Sequence, residues 1–292
     1  MASLERRISS NSFNFRFLNV PQKRITREKI VTFIQDKETK RINFASSHSH
    51  ALFRRDGQYV GTIKLPFTDT IGTIIHNKFS ATLFESKFEE HKYYWSIKTE
   101  DEYSLFEEFV NEYKDIVFLR DHLDLSLALS MNYEGDERTE IGELEYQAKF
   151  HNDEEAESTL IEECEDWLNK LPYYKDVDYI CAMPSSNPAE ESLPHRIVTS
   201  LDDYEDISEN VTWTSKTRSI KDAENAEIKL EILEESGLQI SDIDLKGKTI
   251  LLFDDLYMSG VSMQYVAMKL KEAGASRVFG LCIVKSRSNT TR

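Results

Sequence analysis

The stretch Gly247–Gly274, "GKTILLFDDLYMSGVSMQYVAMKLKEAG", decides how the rest of the chain is read. Ile250–Phe253 is a continuous apolar run, the pattern of a strand buried on both faces of a parallel sheet. Two adjacent aspartates, Asp254 and Asp255, follow at once. Such a pair costs folding free energy unless a cation or a hydroxyl-rich ligand sits against it. The loop Met258-Ser259-Gly260-Val261-Ser262 then leads into a helix from Met263 that ends at Gly274. Gly260 permits a tight backbone path, the helix N-terminus adds about half a positive charge, and the hydroxyls of Ser259 and Ser262 donate. Those donors suit a phosphate monoester. The two carboxylates suit vicinal hydroxyls or a divalent cation. Together they describe a ribose 5-phosphate site at the carboxyl end of a central strand, where open α/β sheets place ligands.

Working outward, strands and helices alternate through the second half of the chain. "AESTLIEECEDWLNKL" sets Leu160, Ile161, Cys164, Trp167, Leu168 and Leu171 on one helical stripe. "DYICAM" (Asp178–Met183) is a short apolar strand, "RIVTSL" a further segment, and "KDAENAEIKLEILEESG" a helix closed by Gly237. "RVFGLCIV" is the last strand. The alternation predicts an α/β fold with a parallel sheet flanked by helices.

The first half reads differently. "KIVTFIQD", "RINFASSHSH", "QYVGTIKL", "GTIIHNKFSATLF" and "YYWSIKT" carry strand composition, with an Asp-Gly turn in "RRDGQY". "TEDEYSLFEEFVNEY" switches to helical spacing. Thr99 and Glu102 form a capping box, and Leu105, Phe106, Phe109, Val110 and Tyr113 share a face. An α+β module with an antiparallel sheet is therefore expected over 1–132, and the α/β domain over 133–292. The acidic stretch Asn132–Glu140 marks the boundary.

Composition narrows the class. Of 292 residues, 40% are apolar and 30% charged, and 16 Phe and 13 Tyr are enough for a sizeable core. No run approaches the ~20 apolar residues of a membrane span, and "MASLERRISSNSFNF" lacks an apolar signal core, so no membrane role is expected. Cys164, Cys181 and Cys282 lie in apolar patterns and read as buried free thiols of a cytoplasmic protein. The net charge of −16 repels nucleic acid, apart from a mild basic polarity over the first forty residues. His48 and His50 share a strand face without a visible third ligand, and read as polar surface.

The pattern in "ILLFDDLYMSGVS", two acids after an apolar strand and then a hydroxyl-Gly-x-hydroxyl turn, resembles the phosphoribosyl pyrophosphate (PRPP) motif of type I phosphoribosyltransferases. Serines stand at 259 and 262 where that family more often has threonine, and Met258 stands where a small residue is common. "ERTEIGELEYQAKFHNDEEAESTLIEECEDWL" followed by "DYICAMPSSNP" is similar to the competence-factor F-like branch, in which a Gly-containing helix and a lysine precede the first core strand. The resemblance implies a type I phosphoribosyltransferase-like fold, with Asp254 and Asp255 on the ribose hydroxyls and on Mg²⁺. It puts Met258–Ser262 on the 5-phosphate, the loop with Ser185, Ser186 and Asn187 on pyrophosphate, and Lys216, Arg218 and Lys221 on a mobile loop. Only His195 and Arg196 lie near the place where the branch often has arginines. In purine-handling relatives a lysine near the position of Lys285 reads the purine oxo group. By itself Lys285 reads as a strand-end surface residue.

The implied activity is transfer of phosphoribosyl from PRPP to a nucleobase or another nitrogen nucleophile. The alternative is a non-catalytic sensor of PRPP or nucleotides, a regulator or effector module of the kind found in defence or mobile-element systems. A third option is hydrolysis of a nucleotide or nucleoside in the same pocket. The N-terminal module is the expected place for a protein partner or a homo-oligomer contact.

Overall fold

Thr26 accepts a hydrogen bond from the Lys29 backbone N–H and opens helix α1, Arg27–Gln35, which buries Ile30 and Phe33 one turn apart. A computed structural model describes residues 17, 19–90, 92–185, 191–215 and 223–287 of the chain. The strand expected over "KIVTFIQD" is thus corrected to a helix. Its β-branched residues fit either state, and the cap and helical spacing of the buried pair decide between them.

Strand β1, Arg41–Asn43, ends in turns that occupy the rest of "RINFASSHSH". Strands β2, Leu52–Arg54, and β3, Gly61–Leu65, pair antiparallel. Helix α2, Ile71–Phe79, replaces the strand expected over "GTIIHNKF", and buries Ile71, Ile74 and Ile75 at helical spacing. After β4, Phe84–Glu85, and β5, Tyr93–Ile97, comes helix α3, Glu100–Glu112. Thr99 caps α3 by accepting from the Glu102 N–H (3.1 Å), and the Glu102 carboxylate reaches back to the Lys98 N–H (2.8 Å). Tyr103, Phe106 and Phe109 form its buried face, whereas Leu105, expected there, is 51% exposed. The order β2-β3-β5-β4 makes a four-stranded antiparallel sheet.

Strands β6, Val117–Leu119, and β7, Leu125–Met131, lead to a small hairpin of β8, Tyr133–Glu134, and β9, Glu137–Arg138. Helices α4, Glu140–Phe150, and α5, Glu154–Lys170, follow, then β10, Tyr179–Ala182, and α6, Leu193–Ser200, so that "RIVTSL" is helical. Strand β11, Val211–Trp213, helix α7, Ala226–Ser236, and strand β12, Leu238–Ile240, form a two-stranded ribbon with the helix between its strands. The chain then runs through β13, Thr249–Tyr257, α8, Val261–Glu272, and β14, Arg277–Lys285.

A six-stranded sheet of order β1-β6-β7-β14-β13-β10 is the frame of the molecule. It is mixed and mostly parallel. The pairs β7–β14, β14–β13 and β13–β10 are parallel, and β1 and β6 are antiparallel additions. One core joins Leu251 and Phe253 to α4, α5, α6 and the antiparallel sheet. The other joins Ile250 and Leu252 to α1, α7 and α8. The fold is therefore α/β with helices on both faces of the sheet. The sheet runs across Asn132, taking β1, β6 and β7 from before it and β10, β13 and β14 from after it. The acidic stretch there forms the separate two-stranded β8–β9 hairpin and the start of α4, between β7 and β10 of this sheet. The three cysteines are buried and free. Among the described residues no helix is long and apolar enough to cross a membrane.

Candidate functional site

Strand β13 does not stop at Phe253, as its sequence suggests; it continues through both acids to Tyr257. Its two edges part company at that point. Ala182 pairs with Phe253 as the last contact with β10, and the Met183 N–H donates to the Phe253 carbonyl (2.7 Å). On the other edge β14 stays in register as far as Tyr257↔Lys285. From Asp254 onward β13 has no strand neighbour on this edge among the described residues, and Met183–Ser185 borders the gap. Trp213 Nε1 donates to the Pro184 carbonyl (3.0 Å), which ties this border to β11. A crevice of this kind, at the carboxyl ends of parallel strands, is where α/β sheets bind ligands.

Because successive strand residues face opposite sides, the two acids diverge. Asp255 points to the α4 side, where Lys149 Nζ lies 2.6 Å from its Oδ2. The same ammonium is 3.5 Å from Glu145 Oε1, on a side chain only 3% exposed. Burial works to lower the pKa of Lys149, but the Asp255 carboxylate, helped by Glu145, overcomes it and holds the ammonium above the ordinary lysine value. Burial pushes Glu145 up, and Asp255 adds to the push.

Asp254 faces the α7 side. Its Oδ1 accepts from the Asp255 N–H (3.0 Å). Burial, then the neighbouring Asp255 charge, drive Asp254 up to about 8, against the pull of Lys149 and Lys229. Lys229, on α7, is itself lowered by burial, with Asp254 opposing. Lys149 is the lysine of the Gly-containing helix that carries part of the resemblance, though no role was expected of it. Glu145, one helical turn before it, and Lys229 were not expected at the site, and Lys229 shows no signal in sequence.

The turn after β13 is built around Gly260, whose φ of +75° lies in the left-handed region. A Cβ there would sit 2.0 Å from Tyr257 Oη, so the turn closes directly over that ring. Tyr257 in turn donates to the buried carboxylate of Asp121 (3.0 Å). Among the described residues no side chain caps α8. Ser259 Oγ is buried and has no hydrogen-bond partner among the described residues. Met258 and Ser262 are partly exposed, while Val261 is fully buried and leaves only its backbone available to a ligand.

The remaining expected residues divide clearly. Ser185 is partly buried at the edge of the gap. Ser186, Asn187, Lys216, Arg218 and Lys221 lie outside the described residues. Arg196 is bound to Glu157 (2.7 Å) and donates to the Ala148 and Glu191 carbonyls, so it braces α6 against α4 and α5. Lys285 is not the surface residue its strand-end position suggests. It is fully buried, burial lowers it to about 7, and its Nζ donates to the Ser286 carbonyl (2.6 Å).

Comparison with known proteins found no family model and no curated protein that matches this chain.

Proposed function

We propose that the crevice beside Asp254 and Asp255 binds a ribose 5-phosphate group, with PRPP as the ligand, and transfers its phosphoribosyl unit to a nitrogen nucleophile such as a nucleobase. One observation carries this reading: among the described residues, Ser259 Oγ is buried without a partner at the start of a helix that no side chain caps. Native proteins seldom leave such a group unmatched, and an anion at a helix N-terminus matches both deficits. The sugar hydroxyls would donate to Asp254 and Asp255, which flank the carboxyl end of β13 on its two faces.

In the reaction, the C1–O bond to pyrophosphate breaks and its electron pair leaves with pyrophosphate. The acceptor nitrogen forms the new C1–N bond and gives up its proton. Lys229 and Lys149 put positive charge beside the acids on the two faces of the strand. The donor set also fits Mg²⁺, which takes one or two protein carboxylates and fills its shell with water and phosphate oxygens. A bound Mg²⁺ would neutralise charge developing on pyrophosphate.

A second reading, a sensor that binds PRPP without turnover, is favoured by Arg196. That cation, near the pyrophosphate loop, is already spent on Glu157. Incubation with PRPP, Mg²⁺ and a panel of bases separates the two. Release of pyrophosphate supports transfer, and saturable binding without release supports sensing. No binding at all removes both.

A further inference from the structure

A second cavity lies in the N-terminal part of the molecule, beside the turn that follows β1. Its frame is Asn43, which is 1% exposed. The Asn43 Nδ2 donates to the carbonyls of Lys114 (3.2 Å), Asp115 (3.0 Å) and Ile116 (3.3 Å). Its Oδ1 accepts from the Ser46 N–H (3.0 Å) and the Ser46 hydroxyl (2.6 Å). The His48 N–H returns to the Asn43 carbonyl (3.0 Å), and the Ala51 N–H to the His48 carbonyl (2.9 Å). The turn is thus fixed from within. The Ser46 hydroxyl is spent on Asn43, and the fixed backbone holds Ser47 and Ser49 in place beyond it, which lowers the cost of ordering them around a ligand.

Between this turn, β2–β3 and the β4–β5 hairpin is a cavity of ≈ 470 Å³, within the range of small-molecule sites. Its lining includes Ser46, Ser47 and Ser49 and the lysines Lys64 and Lys92. It also includes the apolar residues Phe53 and Pro66, and Leu65, which is almost wholly buried. The only carboxylate in the lining is Glu89, 2.5 Å from Lys64 Nζ. Lys92 has no ion pair among the described residues. A cationic lining of this kind runs against the net charge of −16 carried by the chain. The His48 imidazole registers the local field. Burial, then Lys92 and Arg41, bring its pKa down to about 4.

We propose that this cavity binds a small phosphorylated ligand the size of a nucleoside monophosphate, with its phosphate on Lys64, Lys92 and the hydroxyls of Ser47 and Ser49 and its ring against Phe53 and Pro66. Ammonium and hydroxyl donors give charge-assisted hydrogen bonds to phosphate oxygens. Glu89 holds Lys64 while the cavity is empty and competes with the ligand for it. The site stands independently of the crevice at Asp254 and Asp255.

Adenosine 5′-monophosphate and, separately, inorganic phosphate are titrated calorimetrically into the full chain and into its Asp255→Asn variant. Saturable binding of the nucleotide is expected in both. The Lys64→Ala/Lys92→Ala double variant should weaken it about tenfold or more, because charged hydrogen bonds are lost. Glu89→Gln should tighten it by freeing Lys64, an effect that a merely structural role for Glu89 does not produce. Phe53→Ala should weaken the nucleotide and leave phosphate unchanged. Bound phosphate should also raise the His48 pKa, read from its ring protons by NMR. Absence of saturable nucleotide binding in Asp255→Asn, or an affinity unaltered in the double lysine variant, overturns the proposal. Neither result bears on PRPP binding at the crevice.

Discussion

Lys149 Nζ lies 2.6 Å from Asp255 Oδ2 and 3.5 Å from Glu145 Oε1, so one ammonium from α4 holds two acids that would otherwise repel. The pair is partly buried, with side-chain exposures of 31% and 14%. Breaking it should cost less than the 3–5 kcal/mol of a fully buried ion pair, and we expect about 2 kcal/mol for Lys149→Met in urea unfolding at neutral pH. Lys149→Met/Asp255→Asn should recover much of that loss, because the uncompensated charge goes with its partner. Additive losses in the double variant would mean that the contact carries no coupling.

Asp254 predicts a pH dependence of stability. Its pKa rises to about 8 in the folded chain, through burial and then Asp255, from an ordinary value near 4 when unfolded. Between those values the folded state binds more protons than the unfolded state, so stability is greatest at the acid end and falls as pH climbs towards 8. Each tenfold difference in proton affinity is worth about 1.4 kcal/mol. Asp254→Asn should flatten this slope and be more stable than the parent at pH 8, as measured by thermal unfolding at several pH values. Parallel profiles for the two proteins would contradict the assignment.

Gly260→Ala should destabilise the turn. The left-handed backbone costs an alanine about 1–2 kcal/mol, and its Cβ would also overlap Tyr257 Oη at 2.0 Å. A lowered unfolding midpoint together with weaker phosphate binding is expected. An unchanged midpoint would show that the turn is not closed over Tyr257 as described.

The thiols give a simple check on packing. Cys164, Cys181 and Cys282 are buried, and burial raises all three. A thiol reagent at pH 8 should leave the native chain unlabelled and label three sites in urea. Rapid native labelling would contradict the buried placement.

The strand–turn–helix at β13–α8 was legible because its apolar run, acids and glycine each demand a particular environment. The α1 and α2 segments were not. "KIVTFIQD" and "GTIIHNKF" are rich in β-branched residues, and only the Thr26 cap and the spacing of Ile71, Ile74 and Ile75 betray a helix. The extent of β13 was misjudged for a different reason. Charged residues look like a strand end, but β14 pairs with them and Lys149 compensates Asp255. That pairing joins elements far apart in the chain, so no local pattern announces it. The acidic stretch at Asn132 read as a domain boundary for its composition, and the six-stranded sheet takes strands from both sides of it.

The carboxyl end of β13 is the proposed sugar-phosphate site, and calorimetry with PRPP and Mg²⁺ tests it most directly. The parent chain should show saturable binding, and Asp255→Asn should bind at least about tenfold more weakly while unfolding cooperatively as before. Equal affinity in the two proteins, or no heat with either, would contradict it.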